Sequence, residues 1–117
     1  MNGIKLLTKA LVKSLPALYS QEENPDPLVV CKFFTPDAGW TWYVIEGSPV
    51  DEDGYYDTDK PKVDFVFFGL VSGIEVELGY FSLSELTSVR GKFGLPIERD
   101  LSYKPTRLSE VKTLCGV

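Results

Sequence analysis

The sequence predicts an α+β domain: a mainly antiparallel sheet of about five strands, made of two hairpins plus an edge strand, with three short helices. Three observations predict it. Two pairs of β-rich runs flank short turns. Capping residues stand before short segments with apolar positions at helical spacing. The chain has 117 residues, 44% of them hydrophobic and 13% aromatic, which suffices for one core. No repeat or composition break divides it, so residues 1–117 read as a single domain.

Residues 8–15 form the first expected helix. Thr8 caps it, Leu7, Leu11 and Leu15 recur four apart, and Pro16 ends it. Residues 20–27, Ser-Gln-Glu-Glu-Asn-Pro-Asp-Pro, are a proline-broken connector. Runs 28–35 and 40–46 flank Pro36-Asp37-Ala38-Gly39, a hairpin loop that sets Phe33 opposite Trp42 and Cys31 opposite Val44. Runs 65–71 and 74–81 flank Ser72-Gly73. A two-residue loop there pairs Val71 with Ile74 and Phe67 with Leu78, and puts Glu75 and Glu77 on the opposite face. Between the hairpins, residues 47–64 hold turn formers and acids, and read as a mobile acidic loop. Ser82-Leu83-Ser84-Glu85 is a capping box for a second helix, with Gly91 as its C-terminal signal. Residues 97–103 alternate as an edge strand, and Thr106 caps a last helix over about 107–114.

Composition removes several chemistries. The chain has no histidine, so Ser-His-Asp and Cys-His nucleophile systems and histidine metal ligands are excluded. Two isolated cysteines, Cys31 and Cys115, cannot build a tetrahedral zinc site. Gly91-Lys92-Phe93-Gly94 is too short for a phosphate loop. No metal and no cofactor is expected. No apolar run reaches the ~20 residues of a membrane-spanning helix. Lys5, Lys9 and Lys13 interrupt any secretory leader, so a cytoplasmic address is expected.

The net charge of −5 is uneven. Residues 1–20 carry three lysines and no acid, residues 21–64 carry eleven acids against three lysines, and the remainder balances six against six. Without a basic stripe, direct nucleic-acid binding through Lys5, Lys9 and Lys13 is the weaker reading. An acidic surface suits a basic protein partner, including a nucleic-acid-binding one. Its candidate residues are Asp51, Asp53, Asp57 and Asp59, with Tyr55 and Tyr56 among them. Those aspartates could also ligate a divalent ion, but Gly54 directly after Asp53 breaks the calcium-loop spacing. Trp40, near a hairpin tip, is a candidate aromatic anchor. Arg99, between Glu98 and Asp100 but facing the other way, is a candidate binder of a partner carboxylate or phosphate, or a structural ion pair with another element such as Glu85. The enzyme alternative rests on carboxylates: Glu75 with Glu77, or Glu98 with Asp100.

Five segments carry a resemblance. They are Lys32-Phe33-Phe34-Thr35-Pro36-Asp37, Gly39-Trp40-Thr41-Trp42-Tyr43, Phe67-Phe68-Gly69-Leu70-Val71, the run from Glu77 to Leu86, and Gly94-Leu95-Pro96-Ile97-Glu98-Arg99-Asp100. With Lys5-Leu6-Leu7-Thr8 and Leu108-Ser109-Glu110 they resemble the bacterial family called domain of unknown function 2958. The likeness runs along nearly the whole chain, the excursion near residues 48–62 apart. It implies a setting on plasmids and other mobile elements, beside transfer, maintenance or defence-evasion genes. It implies no catalytic residue. The expected function is a non-enzymatic accessory protein that binds a protein partner, with an anti-defence role as its sharper form. The sequence leaves the oligomeric state open.

Overall fold

A computed structural model describes residues 5–117. In chain order the elements are α1 (Lys9–Ser14), β1 (Leu28–Val29), β2 (Cys31–Phe34), β3 (Thr41–Val50), β4 (Asp64–Ser72), β5 (Val76–Ser82), α2 (Leu83–Ser88), β6 (Glu98–Arg99), β7 (Thr106–Arg107) and α3 (Leu108–Leu114). Five strands form one antiparallel sheet in the order β5-β4-β3-β2-β6, and β1 pairs with β7 in a second, two-stranded sheet. The α+β class, the five strands and the three helices are as the sequence predicts.

The first hairpin takes the expected register, Phe33 opposite Trp42 and Cys31 opposite Val44. Thr35 locks its turn: the hydroxyl accepts from the Trp40 N–H at 2.8 Å. The second hairpin differs. Ser72 pairs with Val76, so the loop is Gly73-Ile74-Glu75 and the register is shifted by three residues. An odd shift swaps the faces. Cross-strand aromatic pairing accounts for it. The shifted register sets Phe67 opposite Phe81, with ring centroids 5.5 Å apart, and Phe68 opposite Tyr80 at 4.9 Å. Ile74 is left 92% exposed at the loop tip.

Three other boundaries move. The edge strand is only Glu98–Arg99, because the Asp100 carboxylate accepts from the Ser102 N–H and hydroxyl and turns the chain away. Helix α2 carries the predicted capping box but ends at Ser88, and the residue that follows is extended. Gly91 is instead a close-approach position, since a side chain there would overlap Asp37. Thr106 lies in β7 and caps nothing; the Asp26 carboxylate accepts from the Ser109 N–H and hydroxyl, 2.8 and 2.7 Å away, at the start of α3. A sequence window cannot show a cap reaching across 83 residues.

The sheet is covered on both faces. On one, α1 and α2 enclose Leu11, Phe33, Trp42, Phe65, Phe67, Phe81 and Leu86 in one cluster. On the other, Val29, Ile45 and Leu70 pack with Leu108 and Val111 of α3. Phe68 and Val76 pack partly against this cluster, but Leu78 and Tyr80 beyond them stay exposed.

Candidate functional site

The site begins with an irregularity in β3. Val44 pairs with Gly69, but Glu46, not Ile45, pairs with Phe68. Ile45 is therefore an extra residue, a β-bulge. In regular alternation Glu46 would face the aromatic core beside Phe67. The bulge turns it to the opposite face, where Glu46, Phe68 and Tyr80 form one row across β3, β4 and β5.

Glu46 is only 3% exposed. A buried carboxylate needs partners, and two backbone N–H groups supply them. Tyr19 donates to Oε1 at 2.9 Å and Gln21 to Oε2 at 2.7 Å. One residue earlier, the Leu18 N–H donates to the buried Ser48 hydroxyl at 3.0 Å. These bonds fasten the connector along the free side of β3, beyond the end of β2. They hold Tyr19 at φ 69°, a left-handed conformation that a bulky side chain adopts only under such constraint.

The Tyr19 ring, 45% exposed, lies 6.0 Å from Tyr80 and 5.8 Å from Tyr56, centroid to centroid. Tyr19 and Tyr56 thus gather beside Tyr80 at the end of the row. Tyr19 and Tyr80 line a cleft of about 380 Å³, bounded by the connector, the row and α3, with Glu22 and Lys112 also in its lining. Burial first, then Tyr19, then the charges of Glu46 and Glu22 push the Tyr80 phenol above its usual range. A larger cleft of about 670 Å³ lies under α2. It borders Lys5, the first described residue, and none of its polar side chains is buried.

The acidic loop contributes Tyr56. Residues 47–50, expected within that loop, belong to β3, so the excursion spans 51–63. Asp51, expected on the surface, is 2% exposed. Its Oδ1 accepts from the N–H groups of Asp53 and Tyr55, at 2.9 and 3.0 Å, and its Oδ2 from the Thr58 hydroxyl at 2.6 Å. The Thr58 bond, more than the backbone bonds, holds the Asp51 carboxyl below its usual range. Asp53 pairs with Lys60. These two carboxylates are thus engaged within the loop, and among the described residues no group of three or more Asp, Glu or Cys is arranged to hold a metal. Asp57, Asp59, Tyr55 and Tyr56 face solvent.

The other sequence candidates lie elsewhere. Trp40 stands at the opposite end of β3 from the loop. It stacks on Trp42 and occupies the space a Gly73 side chain would take. Arg99 sits in β6 at the far edge, half-buried, where its Nε donates to the Lys5 carbonyl at 3.3 Å; it makes no ion pair with Glu85. Glu75 and Glu77 are exposed at the β5 edge, whereas Glu98 and Asp100 lie at the β6 edge, with Asp100 3.8 Å from Lys32. Glu75 is in the loop rather than the strand, so the pair expected on one strand face does not form.

Sequence reading missed Glu46, Tyr19, Phe68 and Tyr80 as a group. One signal was present: a carboxylate directly after the apolar run Tyr43-Val44-Ile45, in a strand that continues past it. A model of the family described as "Protein of unknown function (DUF2958)" matches residues 6–113. No curated protein and no solved structure matches the chain.

Proposed function

The chain belongs to the DUF2958 family, and we propose that it is a non-enzymatic module that binds a basic protein partner through the tyrosine-lined, acidic side of its sheet. One observation carries the reading: the acidic loop folds around Asp51 so that Tyr56 joins Tyr19 and Tyr80 in one exposed cluster. Tyrosines combine large contact area with a polar tip, and they concentrate binding energy at protein interfaces. Exposed Glu22, Glu23, Asp57 and Asp59 surround the cluster in sequence and favour a cationic surface. Such a surface is common on nucleic-acid-binding proteins, so occupying one and blocking it is the anti-defence form of the proposal. A plasmid or mobile-element setting and a cytoplasmic address complete the proposal. Among the described residues, no helix is long and apolar enough to cross a membrane.

The test is capture from a bacterial lysate by wild-type protein and by a Tyr56→Ala/Asp57→Asn/Asp59→Asn variant, with partners identified by mass spectrometry. Asp51 is left intact because the loop is built on it. The expected result is a partner with a basic surface that the variant no longer retains. Identical capture by both proteins would overturn the proposal.

A further inference from the structure

The geometry points to the cleft beside Glu46 as a receptor for one arginine side chain of the partner, an inference that rests on the protein-binding reading above. The argument starts from the carboxylate. Glu46 is buried, and its recognised partners are two neutral backbone N–H groups. Among the described residues the ion pairs are Lys32–Asp100 and Lys60–Asp53, so Glu46 has no cation of its own. Lys112 lines the same cleft without pairing to it. A carboxylate oxygen accepting one N–H keeps capacity for another donor. A buried charge left without a counter-ion is strongly stabilised when one arrives.

The walls suit the same ligand. Phe68 and Tyr80 lie beside Glu46 in the row, with Tyr19 over Tyr80. A cation within ~6 Å of an aromatic centroid gains from the ring face. A guanidinium is planar, weakly hydrated and forked, so it can lie against a phenol ring while its N–H groups reach the carboxylate. The volume, about 380 Å³, admits one long side chain and not a folded segment. The Ile45 bulge and the left-handed Tyr19 both belong to this cleft, which is where strained backbone is expected when it serves binding.

The test titrates the full 117-residue chain with acetyl-Gly-Arg-Gly-amide and with the matching citrulline peptide, followed by amide NMR. The Tyr19 and Gln21 amides report directly, because both donate to Glu46. The arginine peptide is expected to shift these two resonances in a saturable manner, and the uncharged citrulline peptide to leave them in place. Glu46→Gln is expected to weaken the arginine peptide by at least about tenfold, the usual consequence of removing one member of a desolvated charge pair. Should that variant disturb the connector, Tyr80→Leu keeps the carboxylate and removes the exposed wall; it is expected to weaken binding several-fold in a chain with an unchanged fold. Unmoved Tyr19 and Gln21 amides, an equal response to citrulline, or wild-type affinity in Tyr80→Leu would each overturn the inference. Loss of lysate capture on changing Tyr56, Asp57 and Asp59, with no arginine response at Glu46, would leave the protein-binding reading standing and remove only this one.

Discussion

The two faces of the sheet use similar residues to opposite ends. On the α1–α2 face, Phe33, Phe65, Phe67 and Phe81 interlock, with Phe67 lying 5.0 to 5.5 Å from each of the other three, and all are buried. On the α3 face, Phe68 and Tyr80 are in equally close contact at 4.9 Å, yet Tyr80 is 55% exposed. Aromatic density is therefore not what separates a core from a surface here. Coverage is. Two helices close the first face, whereas a seven-residue helix leaves part of the second to a connector and a loop.

The largest expected effect breaks the closed face. Phe67→Ala removes a side chain with no solvent exposure and should cost about 3–5 kcal/mol, read as a fall in the denaturant midpoint. Next, Ser82→Ala removes the hydroxyl that accepts from the Glu85 N–H at the start of α2, and should cost about 1 kcal/mol by the same measurement.

Acid distinguishes the two faces more gently. Hydrogen bonds from the Ser109 hydroxyl and N–H hold the Asp26 carboxyl below its ordinary 3.8. Its folded pKa is lower than its unfolded one, so its contribution is present above the unfolded value and lost as pH falls through the folded one. Helix α3 has Asp26 as its side-chain cap; α2 has the Asp64 carboxylate on the Ser84 N–H and hydroxyl in the same way, and keeps in addition the Ser82 hydroxyl on the Glu85 N–H at any pH. Between about pH 5 and pH 2, the first turns of both helices should lose hydrogen-exchange protection, α3 more than α2, which keeps its Ser82 bond. An Asp26→Asn variant should narrow that difference. The smallest effect sharpens the contrast: Tyr80→Leu on the open face should cost less than about 1 kcal/mol, the worth of its cross-strand pair with Phe68, in the same denaturant experiment.

Much of the fold was legible because its signals are local. Pro36 to Gly39 fixes one turn, and with it the register of Phe33 and Cys31. Ser82 and Glu85 announce α2 within four residues. The second hairpin was misread because Ser72-Gly73 suits a tight turn, while the pairing of Phe67 with Phe81 and Phe68 with Tyr80 depends on the whole sheet. The candidate site was legible in part. Tyr56, Asp57 and Asp59 stand out as exposed loop residues, but Asp51 looks identical to them in sequence and is structural. Tyr19 and Glu46 lie 27 positions apart and meet only because a bulge turns one of them over, which no local pattern records.

The bulge at Ile45 makes β3 a parity counter. Deleting Ile45 would only regularise the ladder and keep Glu46 opposite Phe68, whereas inserting one residue after it would exchange odd and even for every position downstream to Val50. Glu46 would be driven against Phe67, and Ser48 and Val50 would leave the face they now occupy. A single-codon insertion at this point should therefore abolish the cleft and damage the closed core together. The excursion 51–63, whose ends are clasped by the Val63 N–H on the Val50 carbonyl at 2.8 Å, is free of that arithmetic. Length variation in related chains should accordingly gather in the excursion and spare the stretch from Tyr43 to Gly47.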